Sequence, residues 1–249
     1  MKTFTLITGA SAGIGKATAC LLAQNKKNLI LIARRKDRLD RLKDALEKKY
    51  EVEVLTYQVD LSDQQQIQDF FETIESIPVD TLINNAGLAL GKSSFEDYGW
   101  ADFDRMIDIN IKAFTRVGQL AIPMIKKHQG HIINISSIAG TEAYEGGSVY
   151  CGTKAYVKMI SKALRIDLHG TGVRVTDIAP GAVETEFSDV RFKGDLDTAK
   201  NTYKGYTPLF ATDIAETIWF ALSRPKSVNI EYMLVMPTAQ ASATRFFKK

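Results

Sequence analysis

The sequence predicts a doubly wound α/β fold, a single parallel sheet with helices on both faces, and three observations carry that expectation. Apolar runs of strand length alternate with helix-period segments from one end of the chain to the other. Those runs are continuous, as in Leu29-Ile30-Leu31-Ile32, so both faces of the sheet need cover. A glycine-rich turn, residues 8–15, joins the first strand to the first helix, where a βαβ unit makes its tightest connection.

Each element follows in order. Thr5-Leu6-Ile7 reads as the first strand, and Ile14, Leu21 and Leu22 share one face of the helix after it. Residues 29–32 form the second strand and the charged stretch 36–49 the second helix. Residues 52–59 are β-branched and alternating. Ile67, Phe70, Phe71 and Ile74 then fall at i, i+3, i+4 and i+7, the stripe of an amphipathic helix. Residues 79–83, 132–135 and 173–178 are further buried strands, separated by long helical stretches. A last helix and strand, 214–222 and 230–236, close the pattern. Pro123 lies inside a helical segment and is expected to kink it. With no linker or repeat, residues 1–249 read as a single domain. The one long aperiodic stretch, 180–208, reads as a lid.

Composition narrows the function classes. The 249 residues are 45% hydrophobic and 24% charged, ordinary for a globular chain with a full core. The 32 Lys+Arg against 29 Asp+Glu give +3, spread along the chain, so neither nucleic acid nor an anionic membrane is an expected partner. Two cysteines, Cys20 and Cys151, exclude a disulfide framework and a Cys-rich zinc site. His128, His131 and His169 show no metal-ligand spacing, and no metal is expected. There is no 18-residue apolar run, and the start enters a strand directly, which reads as cytoplasmic.

The turn Thr8-Gly9-Ala10-Ser11-Ala12-Gly13-Ile14-Gly15 offers bare backbone N–H groups and a helix N-terminus to a pyrophosphate. Glycine is needed there because a Cβ would block close approach. The second strand ends Ile32-Ala33-Arg34-Arg35, with no acid for a ribose 2′-hydroxyl; arginine in that place clamps a 2′-phosphate and favours NADP(H). The plainer alternative is that Arg34 and Arg35 simply begin a solvated helix. Tyr150 and Lys154 are i and i+4 and share a helix face. Alone, such a pair is ordinarily a solvated one, and its meaning depends on company.

That company is present. The glycine turn, Asp60-Leu61, Asn84-Asn85-Ala86-Gly87, Asn110, Ser137 and Tyr150-Cys151-Gly152-Thr153-Lys154 occur in the order and spacing of the short-chain dehydrogenase/reductase family, which the chain resembles throughout. The resemblance implies seven strands in the order 3-2-1-4-5-6-7 and a Rossmann-type sheet. It implies Tyr150 as the acid/base, with its pKa lowered by Lys154 together with the positive nicotinamide, Ser137 as its partner on the substrate oxygen, and Asn110 kinking the long helix and holding a water that leads to the lysine. It also implies NADP(H) contacts from Gly9, Ser11, Gly13, Ile14, Gly15, Arg34, Arg35, Asp60, Leu61, Asn85, Ala86, Gly87, Tyr150, Lys154, Pro180, Gly181, Val183 and Thr185. A homo-oligomer, a tetramer in most relatives, is implied too, with the helices through Asn110 and Tyr150 at the interface. The stripe Val157, Ile160, Leu164 and Leu168 either belongs to that interface or faces the sheet.

Within the family, Asn84 to Gly91, Asp167 to Thr171 and Glu186 to Asp195 resemble NADP-dependent 3-hydroxy acid dehydrogenases of the serine/allo-threonine dehydrogenase group. One departure is Ser136, where that group often carries glycine. A small 3-hydroxy acid needs a cation near Tyr150 for its carboxylate, and Arg191 suits it bidentately. Arg191 is expected to swing in as the lid closes; the alternative is a surface arginine. A broad NADPH carbonyl reductase or a 3-oxoacyl thioester reductase is the alternative enzyme, and an NADP(H)-sensing regulator the alternative outside enzymology.

Overall fold

In the computed structural model, which describes residues 2–249, strands and helices alternate as follows. They are β1 (Phe4–Thr8), α1 (Gly13–Gln24), β2 (Asn28–Ala33), α2 (Lys36–Tyr50), β3 (Val54–Gln58), α3 (Gln64–Thr73) and β4 (Val79–Asn84). The second half contributes α4 (Trp100–Ile107), α5 (Phe114–His128), β5 (His131–Ile135), α6 (Ser148–Asp167) and β6 (Arg174–Pro180). Then come β7 (Val183–Glu184), α7 (Phe187–Arg191), α8 (Leu196–Asn201), β8 (Leu209–Phe210), α9 (Ala211–Leu222) and β9 (Tyr232–Val235). The main sheet is parallel throughout, in the order β3-β2-β1-β4-β5-β6-β9. With the two-residue pair β7 and β8 set aside, that is the 3-2-1-4-5-6-7 order expected.

Alternation within each strand divides the core in two. Leu6, Ile30, Ile32, Leu82, Ile132 and Val175 point to one face, where α3, α5 and the end of α6 cover them. Ile7, Leu29, Leu31, Ile83, Ile133 and Ile178 point to the other, under α1, α2 and α9. Every strand runs toward the same edge, so its C-terminal end opens into a shared crevice at the point where the order reverses between β1 and β4.

Several local expectations are corrected. Helix α5 runs through Pro123 without interruption; the departure from α geometry lies earlier, in a π turn at Asp108–Ala113 that contains Asn110. Such turns widen the helix by one residue and often mark functional positions. The aperiodic stretch 180–208 holds two short helices, α7 and α8, each too short for a hydrophobic period to register. Of the stripe on α6, Val157 and, just past the helix end, Leu168 are buried and Leu164 packs against the core, so these three face inward, while Ile160 is half-buried. The exposed apolar side chains of α6 are Met159 and Ile166, at 66% and 71%. His131 starts β5 in full burial with Nε2 2.8 Å from Thr176 Oγ1, and burial pushes it down to about 3, so it stays neutral. No helix among the described residues is long and apolar enough to cross a membrane, and none of their His, Cys, Asp and Glu side chains cluster as a metal site.

Leu31 sits at the centre of the second core half with no exposure. Leu31→Ala is expected to cost about 2–5 kcal/mol in urea unfolding, the sum of lost transfer and residual cavity. A loss under about 0.5 kcal/mol, the scale of a surface change, would show that this layer is not the tight core described.

Candidate active site

The crevice at the C-terminal edge is a cleft of about 910 Å³. That is the upper end of the roughly 300–1,000 Å³ usual for ligand sites. Of the residues expected to contact cofactor or substrate, all but Gly15 and Asn110 line it. Those two act one layer back. A Cβ on Gly15 would stand 2.5 Å from the Gly9 carbonyl oxygen, so its absence is what closes the turn. Gly9 and Gly13 hold φ of +67° and +50°, a region that side chains disfavour. Thr8 ties this turn to the next loop: its hydroxyl accepts from the N–H groups of Asn85 and Ala86 at 2.9 and 2.8 Å.

At the far end, the second strand delivers its arginines as expected, but Arg35 is already engaged. Arg35 Nε and Nη2 donate to the Ser11 hydroxyl at 3.2 and 3.1 Å. Its Nη1 donates to Glu186 at 2.7 Å, and Arg38 donates to the other oxygen of that carboxylate at 2.6 Å. Burial by itself would raise the Glu186 carboxyl, yet the two arginines hold it below its ordinary value. Arg34 also lines the cleft. Arg38, a third arginine three positions past Arg35, was missed although its spacing was a signal; Glu186, 151 positions from Arg35, had no sequence signal.

Next to the glycine turn, Tyr150, Lys154, Ser137 and Asn110 come together. Tyr150 and Lys154 are both buried on α6. Lys154 Nζ lies 5.9 Å from the Tyr150 ring centroid and donates to the Ile135 carbonyl at 2.9 Å. Asn110, at the π turn, donates to Leu88 O at 2.7 Å and to Thr153 Oγ1 at 3.1 Å, and accepts from Leu88 N at 2.9 Å. The side chain that the resemblance gives to a water is therefore engaged in pinning the loop after β4 to α6. Gly87 fits between: a Cβ there would meet Lys154 Nζ at 3.3 Å and Asn110 Oδ1 at 3.4 Å. The Ser137 hydroxyl accepts from Ala139 N at 3.1 Å and donates, at a long 3.4 Å, to Pro180 O.

The electrostatics differ from expectation at one atom. Burial pushes the Tyr150 phenol well above its ordinary value, Tyr144 adding to it, while Ser137 and Arg191 pull the other way. Burial also lowers Lys154, from 10.5 to about 8, which leaves its ammonium charged at neutral pH. The phenol thus holds its proton throughout the neutral range.

Arg191 is already inside. Its guanidinium carbon stands 5.3 Å from the Tyr144 ring centroid and 5.9 Å from that of Tyr150. Nε donates to Gly91 O at 3.2 Å, while Gly91 N donates back to Arg191 O at 2.8 Å. Nη2 is buried without a hydrogen-bond partner among the described residues. No swing is required to bring it to Tyr150. Phe187, one helical turn earlier on α7, packs on Tyr150 at 5.8 Å between centroids. Tyr144 and Phe187 were missed in the sequence; an aromatic in a loop and one on a five-residue helix carry no periodic signal.

The fold and this cleft define a dinucleotide-binding protein of the doubly wound class, with a buried tyrosine–lysine pair at the cleft's inner end. The chain belongs to the short chain dehydrogenase family, whose model matches residues 3–195. It is similar to an NADP-dependent 3-hydroxy acid dehydrogenase of Schizosaccharomyces pombe, 44% identical over 248 residues, covering 98% of this chain and 96% of that protein. It is also similar to sulfoacetaldehyde reductase 2 of Chromohalobacter salexigens, 42% identical over 248 residues, at 97% and 96% coverage. Among solved structures, the closed form of serine dehydrogenase complexed with NADP+ superposes with a TM-score of 0.92 at 39% identity, over 99% of this chain and 100% of that one.

The buried ammonium has a consequence for stability. Lys154 is lower in the fold than its unfolded 10.5, so its charge costs stability fully below about 8, and the cost fades as pH rises to 10.5. Because only the parent carries this titration, the unfolding free energy of the parent relative to Lys154→Met is expected to rise as pH goes from about 8 to 10.5 in urea unfolding. A difference between the two that stays flat over that range contradicts this.

Proposed function

We propose that the chain is an NADP(H)-dependent oxidoreductase that interconverts small 3-hydroxy acids and their 3-oxo forms. Substrates of the serine, L-allo-threonine and 3-hydroxypropionate or malonic semialdehyde type fit it best. The observation that carries this reading is the unpartnered Nη2 of Arg191 beside Tyr150. A buried guanidinium N–H without an acceptor is costly, and a substrate carboxylate two carbons from the reacting carbon supplies one. The chemistry of the sulfoacetaldehyde reductase relative fits the same logic, since a sulfonate is an anion placed near a carbonyl. A broad carbonyl reductase or a thioester reductase gives the arginine no such partner. A sensing regulator has no need of the complete set Asn110, Ser137, Tyr150 and Lys154.

The residues present fit NADP(H). Gly9, Gly13 and Gly15 clear the backbone for the pyrophosphate, and Ser11 and Ile14 lie beside it at the start of α1. Arg34 and Arg35, helped by Arg38, would hold the 2′-phosphate. Asp60 and Leu61 would border the adenine. Asn85, Ala86, Gly87, Pro180, Gly181, Val183 and Thr185 would wall the nicotinamide half, with Tyr150 and Lys154 at its ribose. When bound, the cofactor supplies or takes the hydride.

The chain's own residues handle the proton and the orientation. Tyr150, protonated in the neutral range, gives its proton to the substrate oxygen during reduction, and Ser137 holds the same oxygen by a hydrogen bond. Lys154 places a positive charge beside the phenol, which stabilises the phenolate left behind. Arg191 orients the acid, and Tyr144 and Phe187 exclude water around it. The assembly is a symmetric homo-oligomer, a tetramer by analogy with relatives, supported by exposed Phe95 and Trp100 near α4 and Met159 and Ile166 on α6. Two unpaired cysteines suit the cytoplasm.

Arg191→Ala tests the reading. KM for serine-like acids should rise about 30-fold or more, the loss expected from truncating a buried charged pair, while uncharged aldehydes of similar size keep their KM. An equal loss on both substrate types would mean that Arg191 only supports α7.

A further inference from the structure

A buried carboxylate lies behind the site and takes no part in the chemistry above. Asp177, on β6, is 2% exposed, and neither of its oxygens has a hydrogen-bond partner among the described residues. In the sheet it stands in register with Asn134 of β5 and Tyr232 of β9, so the three side chains share one face. Asn134 identifies that face, because its amide donates to Ser161 on α6 at 2.9 Å. Asp177 therefore points into the layer under α6, the helix that carries Tyr150 and Lys154.

The groups around it are few. Helix α6 contributes Lys154 and Lys158, which act on the carboxylate as positive charges, together with Ser161. Strand β5 contributes Asn134, and just past the strand's end stands Ser136, whose hydroxyl makes a long 3.4 Å bond to Ile178 O and which also pulls the Asp177 carboxyl down. Strand β9 contributes Tyr232, whose ring lies 4.7 Å below the Lys158 ammonium and whose hydroxyl is 3.2 Å from Thr141 Oγ1. Lys158 is tied outward to Thr141 Oγ1 at 2.7 Å. Lys154, by contrast, is buried, and its one hydrogen bond in the structure goes to a neutral carbonyl.

We propose that Asp177 is a positioning residue of the active site, the buried counter-charge that keeps the Lys154 ammonium charged from behind the sheet. Two sealed ions of opposite sign a short way apart each lower the cost of the other, even without direct contact. The direction agrees from both sides: Asp177 raises Lys154 against its burial, and burial raises the Asp177 carboxyl while Ser136, Lys154 and Lys158 pull it back. The proposal also gives Ser136 a use. In place of a glycine it puts a hydroxyl beside this carboxylate.

The inference rests on the reading of Lys154 as the charge beside Tyr150, and its test is separable from that reading. Full-length protein carrying 13C at lysine Cε is titrated by NMR without cofactor, Lys154 being assigned by its loss in Lys154→Met. Wild-type Lys154 should titrate near 8. In Asp177→Asn its midpoint should fall by about one to two pH units, the size of a unit charge removed several ångströms away. A folded Asp177→Asn in which Lys154 titrates as in the wild type overturns the proposal. Should that variant not fold, the wild-type Asp177 carboxyl carbon decides. It should show an inflection at the Lys154 midpoint that disappears in Lys154→Met, and its absence overturns the proposal equally. Failure of the substrate test leaves this coupling measurable, and failure of the coupling leaves the proposed reaction standing.

Discussion

The burial of one ammonium, Lys154, is the constraint around which the cleft is arranged. A lysine in this position gives up hydration, and its bond to the Ile135 carbonyl returns only part of that, about 1.5–3 kcal/mol for a charged donor. What remains is a cost that the rest of the fold absorbs. It fixes α6 against the end of β5, because the ammonium can keep its acceptor only there. Gly87 leaves room for it and Asn110 holds the loop that forms its other wall. Tyr150, one turn earlier on the same helix, inherits its position from that anchor.

The other loops at this edge are held to one another by polar contacts of the same kind. Thr8 joins the glycine turn to the loop after β4. Gly91 and Arg191 exchange two hydrogen bonds, joining the loop that follows to α7. Helix α7 is short, yet it spans the whole cleft. The residue that caps its start, Glu186, lies on Arg35 and Arg38, and its end, Arg191, lies beside Tyr150. The phosphate end and the substrate end are thereby linked through five residues.

How much of this was legible in the sequence depends on how local the determinant is. The two-faced core and the glycine turn follow from periods and spacings within one or two elements, while the strand order came from the family resemblance. Tyr150, Lys154 and Ser137 were legible because they stand in a motif set with fixed separations. Glu186 on Arg35, Arg191 on Gly91 and Asp177 behind Lys154 were not, since each pairs residues from elements that only the fold brings together. Pro123 misled for a related reason: the neighbouring structure tolerates it within α5, and the irregularity sits at Asn110, where the resemblance had put a kink. The burial of Tyr150, which in the chain by itself holds the phenol protonated, was not legible either, since sequence shows only the lysine one turn away.

The account stands on Tyr150 as the proton donor held in place by this anchor, and Tyr150→Phe tests it most directly. The substitution removes one oxygen and keeps the ring that packs on Phe187. Turnover with NADPH and a 3-oxo acid should fall by about 10²–10⁴-fold, the usual worth of a positioned acid, while NADPH binding measured by fluorescence titration stays close to that of the parent. A Tyr150→Phe enzyme that binds NADPH and turns over near the parental rate would contradict the account.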